Sequence, residues 1–324
     1  MTAAGTTWIT GAHGFVGQRL AELCARRGET VGGLGHGAWP QREAQQQGIR
    51  LWINGDITAS NLNALREAQG KPDAIVHLAG GSSVGTAIAY PHEDFLRTVS
   101  ATAVVLEWIR QESSATRLVV ASSAAVYGAG YSGPIGEEAE RYPVSPYGHH
   151  KLMMESLCRS YGANYGVSSI IARLFSLYGT GLRKQLLWDL CCKLAQSTRL
   201  IELAGDGGEL RDWVDVDDAV AVLAPLAAHA NASAPAVNVG TGKGVTVRRV
   251  ATLVLDAWGP GAGGKSELKF SGLARAGDPR CLVANTSRLA ALGMECTNSI
   301  ERGAAQYVRW YRSAGGIRNH DAWQ

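Results

Sequence analysis

Three evenly spaced glycines near the start of the chain constrain its fold more than any other feature of the sequence. They follow the apolar stretch Thr6–Thr10, which predicts a β-strand, and they open a helical pattern over residues 15–27. Glycine permits a tight turn and lets the backbone approach a diphosphate, whose charge the free N–H groups of a helix N-terminus can bind. A phosphate-binding loop is therefore predicted. Its candidate cofactor contacts are Gly11, Gly14, Phe15, Val16 and Gly17.

Short apolar stretches alternate with longer helical patterns throughout the N-terminal part of the chain. Strands that are apolar on both faces are typical of a parallel sheet covered by helices on both sides. The pattern predicts an α/β fold with a Rossmann-type, doubly wound parallel sheet. Four further strands are predicted: the second strand begins at 30–31, and the others cover 51–53, 74–78 and 117–121. A long helix is predicted over 91–111.

The charge balance and the apolar stretches exclude several classes of partner. The chain has 31 Lys and Arg against 28 Asp and Glu, which is too even for the basic footprint of a nucleic-acid-binding protein. The longest apolar stretch, 219–228, falls well short of the ~20 residues of a membrane helix, and the N-terminus lacks the pattern of a signal peptide. The cysteines form no Cys-x-x-Cys pair, so no metal site is predicted. We expect a cytoplasmic protein that binds neither nucleic acid nor membranes.

The segment after the second predicted strand lacks the acidic residue that often binds the ribose of NAD. Residues 31–37 contain no Asp or Glu, and position 35 is a glycine. A carboxylate there would repel the 2′-phosphate of NADP, so its absence permits NADP without requiring it. The sequence therefore predicts NAD(P) with a slight preference for NADP, with His36 and Arg42 as candidate phosphate contacts. Asp56, followed by Ile57, can accept from the adenine amino group or cap the next helix.

Tyr147, Lys151 and Ser123 form a candidate acid/base trio. Tyr147 and Lys151 are four residues apart, so they share a helix face. A tyrosine needs a pKa lowered by about three units to act near neutral pH, and an ammonium about 4 Å away supplies roughly that at an effective dielectric of about 20. Lys151 can also bind the nicotinamide ribose. Ser123 ends the fifth predicted strand, where its hydroxyl can bind the substrate oxygen whose proton Tyr147 transfers.

Further motifs occur in order along nearly the whole chain, from about residue 8 to residue 311. With the glycine loop and the trio, the chain resembles the extended short-chain dehydrogenase/reductase superfamily, and within it the NAD(P)-dependent nucleotide-sugar epimerase/dehydratase family. The motifs are Asp56-Ile57, His77-Leu78-Ala79-Gly80, Ser122-Ser123, and the stretches 205–212, 238–242 and 275–279.

The resemblance implies two domains, a nucleoside-diphosphate sugar as substrate, and a homodimer. A dinucleotide-binding Rossmann domain is expected over 1–175, with a return segment at about 211–240, and a smaller substrate-binding domain over 176–324. The dimer helices would be those at 91–111 and 147–161. The implied cofactor contacts include Leu78, Ala79, Gly80, Tyr147 and Lys151, and the implied substrate contacts are Ser83, Ser123, Ser176, Arg183, Arg211, Arg275 and Asp278. For Arg211, a surface ion pair with a neighbouring aspartate is the alternative.

Several positions depart from what the family usually has, and they bear on the reaction. Dehydratases of the family carry Asp-Glu after the catalytic hydroxyl residue, and this chain has Ala124-Ala125, whose methyl groups cannot transfer protons. A 4-epimerase and an NADPH-dependent 4-ketoreductase remain as alternatives. A non-catalytic sensor of NADP is a remote third, and the intact trio disfavours it. His150 stands where the family usually has serine, and Thr98 where it usually has asparagine.

Overall fold

A seven-stranded sheet forms the centre of the N-terminal part of the computed structural model, which describes residues 5–196, 199–260, 266–273 and 279–315. Its strand order is β3-β2-β1-β4-β5-β6-β10, and every neighbouring pair is parallel. The strands are β1 (Thr6–Thr10), β2 (Thr30–Gly35), β3 (Leu51–Asn54), β4 (Ala74–His77), β5 (Arg117–Ser123), β6 (Ser169–Leu174), β7 (Ser176–Tyr178), β8 (Leu200–Leu203), β9 (Leu210–Asp215), β10 (Ala236–Val239), β11 (Gly244–Thr246), β12 (Glu267–Phe270) and β13 (Cys281–Leu282).

The helices connect these strands, as the crossovers of a parallel sheet require. No helix in the described part of the chain has the length and apolar character needed to span a bilayer. The α-helices are α1 (Phe15–Arg26), α2 (Gln41–Gln46), α3 (Ala59–Gln69), α4 (Val84–Ala89), α5 (Pro91–Phe95), α6 (Ala101–Glu112), α7 (Pro146–Tyr165), α8 (Gln185–Ala195), α9 (Val216–Leu226), α10 (Val247–Trp258), α11 (Ser287–Ala291) and α12 (Ile300–Trp310).

The described residues divide into two compact units. The first comprises the chain up to Gly128, together with Glu137–Leu174 and Val220–Val239, and it contains the seven-stranded sheet. The second comprises Ala129–Gly136, Phe175–Ala219 and the described residues from Gly240 onward.

The interior of the first unit explains why its sheet is parallel. Ile9, Ile75, Val119 and Ile171, on four neighbouring strands, are completely buried, and helices pack on both faces of the sheet. Removal of such side chains from water contributes roughly 1.5–3 kcal/mol each before the entropy cost. The predicted doubly wound α/β fold is confirmed. The strand order reverses between β1 and β4, which is where open sheets of this kind bind ligands.

The predicted long helix is present, with an irregularity inside it. α5 and α6 are joined through a π-helical turn, Leu96–Ser100, which places Thr98 in the wide turn. Such turns in a helix often occur at functional sites because they re-aim one side chain. Here the Thr98 hydroxyl accepts a hydrogen bond from the Gly81 N–H, at 2.9 Å.

The second unit is built around β9. This strand pairs with β7 and β13 in parallel and with β11 in antiparallel orientation, while β8 and β12 form a separate parallel pair. The buried Asp212 carboxylate accepts from the N–H groups of Thr241, Gly242 and Ala284. These bonds attach the glycine-containing loop after β10 to the small sheet.

Candidate functional site

The glycine loop connects β1 to α1 and has the geometry of a phosphate cradle. Gly11 adopts a φ of 72°, which other residues rarely adopt, and its carbonyl oxygen accepts from the Gly14 N–H at 2.9 Å. Gly14 precedes the first helical turn without a side-chain cap. The first N–H groups of a helix have no partner within it, so those of Phe15, Val16 and Gly17 are available to an anion.

Close backbone contacts show why side chains are excluded from this loop. A Cβ at Gly17 would lie 2.7 Å from both Cα and the carbonyl oxygen of Ala12, and closer still to the carbonyl oxygen of Gly11. A Cβ at Gly11 would lie 2.9 Å from the Ala79 nitrogen. The loop is therefore packed tightly against the segment after β4, and its free N–H groups fit a diphosphate.

We predict that Gly17→Ala weakens dinucleotide binding at least tenfold. An alanine inside an exposed helix usually stabilises it by about 1 kcal/mol relative to glycine, but overpacking costs about 1–3 kcal/mol, and here the opposing atoms are backbone. Fluorescence titration with NAD measures the affinity. Gly85→Ala in α4 is the matched control, because nothing lies within 4 Å of its Cβ position. Unchanged NAD affinity in Gly17→Ala would contradict the cradle.

The end of β2 carries the predicted adenosine contacts. Gly35 abuts the glycine loop, since its Cβ would lie 3.2 Å from the Gly11 nitrogen. His36 Nε2 and Asp56 Oδ1 lie 2.7 Å apart and both side chains are exposed, so the structure brings these two predicted residues together. Arg42 lies in the exposed first turn of α2, six residues beyond His36.

The segment Leu78–Gly80 follows β4, beside the glycine loop. The Ala79 N–H donates to Thr10 Oγ1 at 3.3 Å, which ties this segment to the end of β1. The Cβ position of Gly80 lies 3.3 Å from both Lys151 Nζ and Thr98 Oγ1. Glycine at this position leaves room beside the Lys151 ammonium, which is itself buried.

The structure brings Ser123, Tyr147 and Lys151 together. Ser123 is the last residue of β5, and Tyr147 lies in the first turn of α7, which begins after the Ser145 cap. Tyr147 and Ser123 are hydrogen-bonded to each other. Lys151 Nζ lies 5.7 Å from the centroid of the Tyr147 ring and donates to the Ala121 carbonyl at 2.9 Å. The arrangement can transfer a proton to or from an oxygen bound beside Ser123.

The electrostatics of Tyr147 differ from the prediction. Lys151 was predicted to lower the pKa of Tyr147, but burial raises that pKa above its ordinary value, and the hydrogen bond with Ser123 only partly offsets the effect. The pKa of Lys151 itself is lowered to about 8, because burial disfavours its charge. Desolvation acts on both groups, and it arises from the folded pocket and not from the spacing of the two residues in the sequence. A further positive charge is needed to make Tyr147 a base at neutral pH.

A buried hydrogen-bond network lies directly behind the trio. Glu155, four residues beyond Lys151, forms a bidentate ion pair with Arg173, with N–O distances of 2.7 and 2.9 Å. Its carboxylate also accepts from the Ser122 hydroxyl at 2.7 Å. Arg173 donates to the hydroxyl of Tyr127 at 2.9 Å. The network ties the carboxyl end of β5 to the middle of α7.

The predicted substrate contacts lie in both units. In the first, the Ser83 hydroxyl caps α4 by accepting from the Thr86 N–H at 3.2 Å. In the second, Ser176 starts β7, the exposed Arg183 guanidinium lies 6.0 Å from the Trp188 ring centroid, and Arg211 donates to the carbonyls of Leu210 and Pro279. Arg275 and Asp278 lie outside the described residues.

Two residues that the sequence analysis missed belong to the surroundings of the trio. Asp94 is buried and contacts His150, while Glu155 binds Arg173. The sequence spacing could have identified Glu155, because Tyr147, Lys151 and Glu155 follow each other at intervals of four residues on one helix face. No such spacing points to Asp94, since its partner is 56 residues away in the chain.

Within the described residues, no cluster of His, Cys, Asp and Glu could hold a metal ion.

Comparisons with known proteins identify the family and the fold. Residues 7–240 match the family described as the NAD dependent epimerase/dehydratase family. The UDP-glucose 4-epimerase of Azospirillum brasilense is 30% identical over 302 residues, covering 87% of this chain and 84% of that protein. The solved structure of MoeE5 in complex with UDP-glucuronic acid and NAD is 28% identical, with a TM-score of 0.82, covering 95% of this chain and 99% of the other. The complex of the Thermus thermophilus UDP-glucose 4-epimerase with NAD is 27% identical, with a TM-score of 0.83 and the same coverage.

Proposed function

The chain belongs to the NAD dependent epimerase/dehydratase family, and on that basis we propose that it is a nucleotide-sugar 4-epimerase acting by transient oxidation at sugar C-4. The observation that carries the proposal is the meeting of Ser123, Tyr147 and Lys151 at the carboxyl end of β5, beside the phosphate cradle. Ala124 and Ala125 follow Ser123, and neither side chain can move the protons that dehydration requires. A UDP-hexose is the proposed substrate, because similar proteins are UDP-glucose 4-epimerases.

The residues of the first unit divide the proposed chemistry among them. Tyr147 takes the proton of the C-4 hydroxyl and later returns it, while the Ser123 hydroxyl holds the same oxygen. The Lys151 ammonium donates one hydrogen bond to the Ala121 carbonyl, and it binds the nicotinamide ribose with another of its N–H groups. The free N–H groups after Gly14 hold the diphosphate of the cofactor. When bound, the oxidised nicotinamide supplies the hydride acceptor and the positive charge that Tyr147 needs.

We propose NAD(P) as the cofactor, and the slight preference for NADP stays a prediction. The absence of an acid at the end of β2 supports it, since Gly35 offers nothing to repel a 2′-phosphate. Against it, the Asp56 carboxylate lies beside His36, the residue expected to bind that phosphate, and the similar solved structures contain NAD.

The family resemblance also implies a homodimer, which we retain as a proposal. Its helices would be those predicted at 91–111 and 147–161, which correspond to α5, the π-helical turn and α6, and to most of α7. A groove of about 490 Å³ lies on this face, lined by residues of α3, α6 and α7 such as Ala103, Val104 and Tyr161. An apolar surface of this kind supports association with a second copy.

We expect the purified protein to convert UDP-glucose into its C-4 epimer without added cofactor, because an epimerase regenerates its own. Chromatography of the nucleotide sugars measures conversion, and a substrate deuterated at C-4 should give a product that keeps the label. Denaturing the protein should release oxidised dinucleotide.

The second candidate, a 4-ketoreductase, gives opposite results in the same experiments. It would leave UDP-sugars unchanged, release no oxidised dinucleotide, and consume NADPH with a 4-keto nucleotide sugar. The missing acid after β2 is the observation that favours it. A protein that binds dinucleotide and turns over neither substrate class would be the non-catalytic sensor.

A further inference from the structure

Two ionisable side chains that the proposed reaction does not use are buried together beside the trio. His150 Nδ1 lies 2.6 Å from Asp94 Oδ2, and the two side chains are only 12% and 4% exposed. An ionised carboxylate can only accept, so the Nδ1–H donates. Phe95 packs edge-on against the imidazole, with the ring centroids 5.6 Å apart. The pair ties α5 to α7 at the catalytic end of α7.

A second set of contacts connects this pair to the cofactor segment. A Cβ at Gly81 would overlap Asp94 Oδ1, and a Cβ at the preceding Gly80 would lie 3.3 Å from both Lys151 Nζ and Thr98 Oγ1. The Gly81 N–H donates to the same Thr98 oxygen. The Asp94 carboxylate and the Lys151 ammonium therefore lie against two consecutive residues that have no side chains to separate them.

We propose that Asp94 is a positioning residue, whose carboxylate sets the protonation of Lys151 and Tyr147, and that His150 holds this carboxylate in place and offsets its charge. The inference deepens the proposed function and rests on it, because it assigns roles within the site of that reaction. A buried carboxylate stabilises the protonated form of any neighbouring group. The imidazole that binds the carboxylate acts in the opposite direction.

The charge of Asp94 affects both catalytic side chains in the same sense. Burial lowers the pKa of Lys151 to about 8, and the carboxylates of Asp94 and Glu155 oppose that decrease. Burial raises the pKa of Tyr147, the hydrogen bond with Ser123 lowers it, and Asp94 raises it further. Loss of the Asp94 carboxylate should therefore lower both pKa values, and loss of the imidazole should raise them.

The other ionisable groups on the neighbouring elements are neutral, exposed or paired with a different residue. The His77 imidazole on β4 is neutral at physiological pH, because burial lowers its pKa to about 3. The Glu93 carboxylate is engaged by Arg97 at 3.3 Å, on the exposed side of the helix. The remaining charged or titratable groups of α5 and of the first three turns of α7 are His92, His149 and Glu155, of which the first two are exposed and the third binds Arg173.

Tyr147 ionisation can be followed without any turnover. The ultraviolet absorbance of phenolate is titrated against pH in the NAD-loaded protein, and the same titration of Tyr147→Phe is subtracted to remove the other tyrosines. In Asp94→Asn we expect the Tyr147 midpoint to fall by about one pH unit, as for loss of a nearby charge. In His150→Asn we expect it to rise. His149→Asn and Glu93→Gln, exposed neighbours of the pair, should keep the midpoint of the unmodified protein.

Opposite shifts in the two variants support the proposal. Equal midpoints in all variants, or shifts in the same direction, overturn it, because a purely structural pair has no reason to move the midpoint by charge. Should Asp94→Asn fail to fold, the upward shift of His150→Asn decides the test alone. Because the titration needs no sugar, its outcome is distinguishable from that of the epimerase assay: absence of turnover overturns the proposed function, whereas the shifts of the midpoint decide the electrostatic role of Asp94.

Discussion

Tyr147→Phe lowers epimerase turnover by about 10²–10⁴-fold while the protein folds and binds dinucleotide as before. The change removes one hydroxyl, and with it the group that takes and returns the C-4 proton; general acid–base catalysis contributes an effect of this size. The aromatic ring stays in place, and the loss of the hydrogen bond with Ser123 is small for the fold. The turnover number with UDP-glucose, together with a thermal melt and a titration with NAD, measures the prediction.

Tyr142→Phe provides the matched control for this experiment. It makes the same chemical change five residues earlier, at a side chain that is 65% exposed, and should leave turnover unaltered. Equal losses in both variants would indicate a general effect of the substitution on the fold. Full turnover in Tyr147→Phe would remove this residue from the proton transfer and with it the proposed role of Ser123.

The parts of the site that could be predicted from the sequence depend on short spacings. The glycine loop and the pair Tyr147 and Lys151 are each defined within seven residues, and one strand–turn–helix or one helix face is enough to place them. Ser123 was found because parallel strands place their carboxyl ends at one edge. The doubly wound sheet was predicted from apolar stretches that are typical of a parallel sheet covered on both faces.

The parts that could not be predicted depend on pairing across the fold. In the sequence, Asp94 is one charged residue among several at the polar start of a helix. Only the packing of α5 against α7 brings it to His150. The pKa of Tyr147 was predicted in the wrong direction for a related reason. The sequence shows that a cation is nearby, but the desolvation that raises the pKa of Tyr147 arises from the assembled pocket.

Glu155→Gln is expected to lower the free energy of unfolding of the first unit by about 3–5 kcal/mol, which corresponds to a decrease in Tm of roughly 6–20 °C. The substitution keeps the shape of the side chain but leaves the Arg173 guanidinium buried without its counter-ion. Both side chains of this pair are completely buried, so water cannot compensate for the loss. Chemical denaturation and thermal melts measure the decrease.

The pH dependence identifies the ion pair as the cause of that decrease. Burial alone would raise the pKa of Glu155, but the hydrogen bonds and the charge of Arg173 outweigh it and lower the pKa below 4.5. A lowered pKa in the folded state means that the carboxylate stabilises the fold above pH 4.5 and loses this contribution as the pH falls through the folded value. The difference in free energy of unfolding between the unmodified protein and Glu155→Gln should therefore be largest at neutral pH and should decrease in acid.

Burial, rather than the ion pair as such, is what makes this prediction large. Glu107 and Arg110 form a second pair with the same closest N–O distance of 2.7 Å, but their side chains are 39% and 36% exposed. Glu107→Gln should change stability far less, because water replaces the lost partner. Equal losses of stability in the two variants would contradict this explanation, because the N–O distance, and not the burial of the pair, would then determine how much an ion pair contributes to stability. A small effect of Glu155→Gln with a normal melt would show that β5 and α7 keep their positions without this pair.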